Sequence, residues 1–203
     1  MVDQTKPYRP LRISRLSPHT GYARPHFYTQ NRVNASSSAL EVMTDLRFIP
    51  AATVAAEFDL DAATQKMIVR GVRSLLVTDT LEDVIGIVTS RDLLGNRPQA
   101  VMHAQGIPFG SVRVRDVMTA DEHIEVLHLD DVLHARVGDI VETLKHTGRQ
   151  HALVVEDDPV TGKSTICGIF SASQIARQLG VPSQTHVLSD TFIGIELAMS
   201  VQR

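Results

Sequence analysis

The stretch Val84-Ile85-Gly86-Ile87-Val88-Thr89-Ser90-Arg91-Asp92-Leu93-Leu94 passes from a run of β-branched and aliphatic residues into a hydroxyl residue followed three places later by an acid. That is the order expected where a buried strand ends and a capped helix begins. The same order returns at Ile166-Cys167-Gly168-Ile169-Phe170-Ser171-Ala172-Ser173-Gln174-Ile175-Ala176, 82 positions later. A chain that repeats a strand-to-helix junction at such a distance is built from two copies of one supersecondary unit.

Working outward, the repeat extends in both directions. Upstream of each junction lies a second apolar run, Leu75-Leu76-Val77 or Ala152-Leu153-Val154-Val155, separated from it by the polar turns Asp79 to Asp83 and Glu156 to Lys163. Each pair therefore predicts a β-hairpin, with the longer turn of the second copy absorbing an insertion at the surface. Before the hairpins, Ala62 to Gly71 and Asp139 to Gly148 predict helices. Ala63, Met67 and Val69 fall near one face in the first, and Ile140, Val141 and Leu144 do so in the second. Both helices stop at a glycine, which suits a left-handed C-terminal cap. Ala55 to Phe58 and Val132 to Ala135 are expected as matching short strands, and Val42-Met43-Thr44 and Val117-Met118-Thr119 open the two copies. The fold class is α/β in the α+β sense: two repeated β-α-β-β-α units. The boundaries read as an arm and linker at 1–38, a first repeat at 39–97, a linker at 98–112, a second repeat at 113–180 and a helical tail at 181–203.

These residues resemble paired cystathionine-beta-synthase-type (CBS) domains, also called a Bateman module, of the stand-alone bacterial type. The first copy carries the likeness through Val42-Met43-Thr44, Met67-Ile68-Val69-Arg70-Gly71-Val72-Arg73, Leu75-Leu76-Val77 and Gly86-Ile87-Val88-Thr89-x-x-Asp92. The second copy departs from the pattern where Gln174 stands in place of the acid. The resemblance implies a regulatory protein that is not an enzyme. Such modules bind AMP, ADP, ATP or S-adenosylmethionine in a cleft between the copies, assemble as homodimers and transmit ligand binding to a regulated partner protein.

On that resemblance, Thr89 and Asp92 are the leading ligand residues, with Ser90, Arg91, Ile87, Val88, Arg73 and Ser171 around them. Amides at a helix start favour phosphate, and a carboxylate accepts hydrogen bonds from both hydroxyls of a ribose. Ile87 and Val88 would give apolar contact, and Arg91 or Arg73 would neutralise phosphate charge. The same Thr-x-x-Asp spacing is also an ordinary capping box, and Ser171-x-x-Gln174 satisfies that rule equally well. Because a neutral amide cannot give the ribose two charge-assisted bonds, one nucleotide site is expected, on the Asp92 side. His151 and Arg149, at the start of a second-copy strand, suit either a cleft lining or a plain strand end.

Charge and composition narrow the alternatives. Residues 1–38 hold six cations against Asp3, a net of +5, and since the 203-residue chain carries −3 the remainder carries −8. The arm interleaves Tyr8, Tyr22, Phe27 and Tyr28 with those cations, a mixture that stacks bases, but the acidic remainder speaks against nucleic acid. The alternative to a sensor is a ligand-independent protein-interaction module. Gly162-Lys163-Ser164 imitates a phosphate-binding loop, yet Asp157 stands where its first glycine is required. His123, His128 and His134 lack metal-ligand spacing, so no metal is expected. The lone Cys167 lies in an apolar run and is expected to be a buried thiol. With no signal segment and no long apolar run, a cytoplasmic protein free of the membrane is expected.

Overall fold

The computed structural model describes residues 33–181 and 188–201. The expectations placed on the arm at 1–32 lie outside these residues. The first repeat runs β1 (Thr44–Asp45), β2 (Thr53–Ala55), α1 (Leu60–Arg70), β3 (Ser74–Thr78), β4 (Val84–Thr89) and α2 (Ser90–Leu94). After α3 (Arg97–Gln105), the second repeat follows as α4 (Val114–Val117), β5 (Thr119–Ala120), β6 (Val126–His128), α5 (Leu129–His134), α6 (Val137–Thr147), β7 (His151–Asp157), β8 (Ser164–Ser171) and α7 (Ala172–Gln178). A last helix, α8, spans Leu188–Val201. No helix among the described residues is long and apolar enough to cross a membrane.

Two four-stranded sheets result, in the orders β2-β3-β4-β5 and β1-β8-β7-β6. In each, a short strand runs parallel to the next through a crossover helix, and a hairpin follows. The fourth strand is exchanged. The Val42-Met43-Thr44 segment of the first repeat feeds β1 onto β8 of the second, with Thr44 opposite Ile169 and Asp45 opposite Gly168. Reciprocally, Val117-Met118-Thr119 feeds β5 onto β4, with Thr119 opposite Ile87 and Ala120 opposite Gly86.

Side-chain alternation explains why the hairpin strands read as unbroken apolar runs: both of their faces are buried. Leu75, Val77 and Val88 face the first repeat's helices with Ala63 and Met67. Val154, Cys167 and Phe170 do the same in the second repeat with Ile140, Val141 and Leu144. Leu76, Ile87 and Leu153 point the other way and meet in a small apolar seam between the sheets, flanked by Ile169. Full burial of one such aliphatic side chain is worth about 1.5–3 kcal/mol. The Cys167 thiol is buried and its pKa is raised, chiefly by desolvation.

The helix boundaries follow local chemistry. The Asp59 carboxylate accepts from the Ala62 amide at 2.6 Å, and α1 ends at Gly71 with φ 65°. Helix α6 likewise ends at Gly148 with φ 63°.

Several sequence expectations give way. Val132–Ala135 is not a strand: the match to β2 is β6, and the extra helix α5 occupies the expected position. Val69 points outward at 82% exposure, because α1 packs through Leu60, Ala63 and Met67. The segment 98–112, read as a linker, contains most of α3. Residues 34–38 are tied down rather than free: the Gly138 amide donates to the Ala35 carbonyl and the Val137 amide to the Ser37 carbonyl, both at 2.9 Å.

Glycine is required where the exchanged strands cross. A Cβ on Gly86 would lie 2.7 Å from the Thr119 carbonyl oxygen and 2.8 Å from Met118 Sδ, whereas the nearest atoms to one on Gly168 belong to the Met43 side chain. Gly86→Ala is expected to cost about 1–3 kcal/mol in denaturant unfolding, and Gly168→Ala less, because a methionine can swing aside and a backbone carbonyl in a sheet cannot.

Candidate ligand-binding cleft

At each strand-to-helix junction the chain turns sharply, and the two junctions have been put to different uses. In the first repeat the capping box is complete: Thr89 donates its amide (2.8 Å) and its hydroxyl (2.6 Å) to Asp92 Oδ2. The other oxygen, Oδ1, meets Arg97 Nη1 at 3.1 Å. Arg97 also donates to the Val117 carbonyl at 2.7 Å, so a side chain of α3 spans the gap between the cap and the exchanged segment. Asp92 is only 9% exposed. Both of its carboxylate oxygens have protein partners.

The second junction carries no such cap. Ser171 makes no capping bond; its hydroxyl shares a hydrogen bond with Ser173 Oγ at 3.0 Å. Gln174 turns to the exchanged strand, where Oε1 accepts from Thr44 Oγ1 at 3.2 Å. The expected Ser171-x-x-Gln174 box is therefore absent, because the amide that would close it is engaged with a residue 130 positions away.

Beside this open junction lies a cleft of about 680 Å³ between the repeats, in the size range of small-ligand pockets. Leu46, Ile49, Pro50, Ala52 and Ile169 give it apolar walls. Thr44, Ser171, Ser173 and Gln174 give it hydrogen-bonding groups, and Arg70, Arg73 and Arg177 give it positive charge. No carboxylate is in the lining set.

His151, at the start of β7, also lines the cleft. Its Nδ1 is fully buried and, among the described residues, has no hydrogen-bond partner. Burial pulls the imidazole pKa down to about 4, with the Arg73 charge acting in the same direction and Asp92 in the opposite one. The ring is therefore neutral near neutral pH.

The residues expected from sequence divide between places. Arg73 and Ser171 border the cleft. Thr89 and Asp92 form the closed cap, Val88 faces the first repeat's core and Ile87 lies in the seam. Ser90 and Arg91 border a separate hollow of about 590 Å³ on the helical face of the first repeat, which Arg73 also borders. Arg149 is used elsewhere, pairing with Glu125 at 3.4 Å and donating to the His123 carbonyl. Sequence reading missed Thr44, Leu46, Ala52, Arg70 and Arg177. The two arginines carried only the signal of cations in the last turns of helices. Among the described residues, no group of His, Cys, Asp and Glu has a metal-binding arrangement.

The CBS domain family profile matches residues 39–98, the whole of the first repeat. The second repeat returns the same hairpin and crossover helix, and its sheet is completed by the first. Residues 39–98 are a CBS domain, paired in the fold with a second repeat of the same plan. Solved structures are similar to this chain as well. An uncharacterised conserved protein from Pyrococcus horikoshii aligns with a TM-score of 0.51 at 19% identity, over 76% of this chain and 98% of that one. The CBS-pair protein CBSX2 of Arabidopsis thaliana, in its complex with AMP, aligns at 0.48 and 23% identity over 70% and 94%. A putative signal-transduction protein with CBS domains from Burkholderia ambifaria aligns at 0.47 and 22% over 68% and 88%. No curated protein matches the sequence.

The His151 environment has a consequence for stability. An unfolded chain, with its imidazole near pKa 6.5, takes up this proton before the folded chain does. Without ligand, the folded state should therefore lose stability as pH falls from about 6.5 towards 4, by up to about 3 kcal/mol, and lose none from this group above that window. Urea unfolding of wild type and His151→Gln at about pH 7 and pH 5 should show the extra acid sensitivity in wild type alone.

Proposed function

We propose that this chain is a cytoplasmic regulatory CBS-domain pair that binds one adenosyl ligand, of the AMP, ADP, ATP or S-adenosylmethionine class, in the cleft beside Ser171 and Gln174. The observation that carries this reading is the cleft itself, where apolar walls, a hydroxyl and amide cluster and three arginines converge at the meeting of the repeats. Apolar walls suit a flat base, and hydroxyls with an amide suit a sugar. In this assignment Thr89 and Asp92 act as a helix cap, and Arg73, Ser171, Gln174 and Thr44 contact the ligand.

Regulation then follows from position. The cleft is lined by both repeats, so a ligand that binds one arrangement of them more tightly than another shifts the population towards it. The helical face bearing Ile68 (64% exposed) and Leu94 (72% exposed) is where a second copy or a regulated partner would register that shift. The same exposed side chains favour the second reading, a ligand-independent interaction and dimerisation module.

A thermal-shift series with AMP, ADP, ATP and S-adenosylmethionine separates the two readings. At about 100 times its Kd a ligand adds about 2.7 kcal/mol of stability. One or more of the four is expected to raise the melting temperature of wild type and of Asp92→Asn by several degrees, and to raise that of Arg73→Ala much less. No shift with any of them supports the interaction module. A shift lost in Asp92→Asn and kept in Arg73→Ala returns the site to the first repeat.

A further inference from the structure

We propose that the groove between α1 and α2 on the first repeat docks an acidic, apolar-faced helix of a partner protein, seated there as α8 is seated on the second repeat. The inference gives a chemistry to the partner of this helical face and stands whether or not the cleft holds a ligand.

The first support comes from the repeat itself. Helix α8 packs along α7 and reaches α6 through an ion pair of Glu196 with Lys145. Its Phe192 and Ile195 are buried in one apolar cluster with Val141 and Leu144 of α6 and Ile175 and Ala176 of α7. The matching groove of the first repeat is the hollow of about 590 Å³, bordered by Met67, Ile68, Leu93 and Leu94. These four take the places of Leu144, Lys145, Ile175 and Ala176 when the repeats are aligned on their glycine caps and strand-to-helix junctions. Among the described residues no helix other than α1 and α2 lines it. The consequence shows at Leu94, which is 72% exposed, whereas its counterpart Ala176 is 6% exposed. Exposed apolar side chains gathered at a groove mark a docking surface, and an apolar helix face laid between two helices is a recurrent way to cover one.

Charge at the rim is the second support. Arg73 and Arg91 border the hollow, and no acid is among its lining residues. Both side chains are exposed, and among the described residues neither is in an ion pair. A helix carrying carboxylates complements that rim, as Glu196 complements Lys145 on the second repeat. A second copy presenting the same groove about a two-fold axis would set arginine against arginine, which disfavours self-pairing there.

Fluorescence anisotropy of the full chain, without nucleotide, tests the assignment with a labelled, lactam-stapled peptide of the 188–201 sequence. The staple is needed because a 14-residue helix is marginal in water. The peptide is expected to bind wild type, more weakly as salt is raised, and at least about tenfold more weakly to Leu94→Glu or Arg91→Glu. A peptide with Phe192→Ala should lose at least about tenfold as well, and one with Glu196→Lys should bind more weakly than the parent. Leu94 and Arg91 are exposed, so both variants should melt within a few degrees of wild type, which separates a lost contact from a lost fold. Binding that survives both substitutions, equal binding of the Glu196→Lys peptide, or no binding overturns the proposal. Sedimentation of the chain alone names the other occupant: a dimer that Leu94→Glu dissociates places a second copy in the groove and overturns it too. The nucleotide series above reads the cleft and is independent of each of these results.

Discussion

The reciprocal crossing of Met43 over Gly168 and of Met118 over Gly86 is the constraint on which the rest of the structure depends. Each crossing brings a short strand from one repeat onto the last hairpin strand of the other, so neither sheet is complete without its neighbour. The seam of Leu76, Ile87 and Leu153 can then close only when both exchanges are made. The cleft is a by-product of the same crossing. Thr44 belongs to the first repeat in sequence, but its hydroxyl is fixed by Gln174 of the second.

From one folded plan the two junctions have diverged in electrostatics. In the first, an acid at the third helical position closes its own cap and receives Arg97 from α3, which fills the space between cap and exchanged strand. In the second, a neutral amide leaves the cap open, and the nearby cations are left without carboxylates. A single change of acid to amide thus separates a junction satisfied from within from one whose polar groups face an open cavity. This divergence explains how a repeat can be symmetric in fold and still present one cleft with a marked excess of positive charge.

Much of the fold was legible in the sequence because its signals are local. The hairpins announce themselves by two-faced apolar runs, and the crossover helices by periodic burial and terminal glycines at Gly71 and Gly148. The reading failed where the signal was not local. The strand Val126–His128 is three residues long and mostly exposed, so its apolar signal is weak, and the strand was expected instead at Val132–Ala135, which mostly lies in α5. Ser171 and Gln174 have the spacing of a cap, but a contact across 130 positions decides otherwise. The cleft could not be read at all as a unit, because its lining comes from residues 44–52, 69–74, 151 and 169–177. The motif around Asp92 marks a closed capping box, while the junction that borders the cleft is the one at Ser171.

The shortness of the edge strands limits how another chain could pair with either sheet. Both sheets are open, and an open sheet ordinarily presents a row of unpaired amides and carbonyls to any other chain. Here one edge of each sheet is a two-residue strand, β1 or β5, and the other a three-residue strand, β2 or β6. The long, strongly apolar hairpin strands are all interior. An approaching chain therefore finds at most three residues of template before the backbone turns away, too little to seed edge-to-edge association.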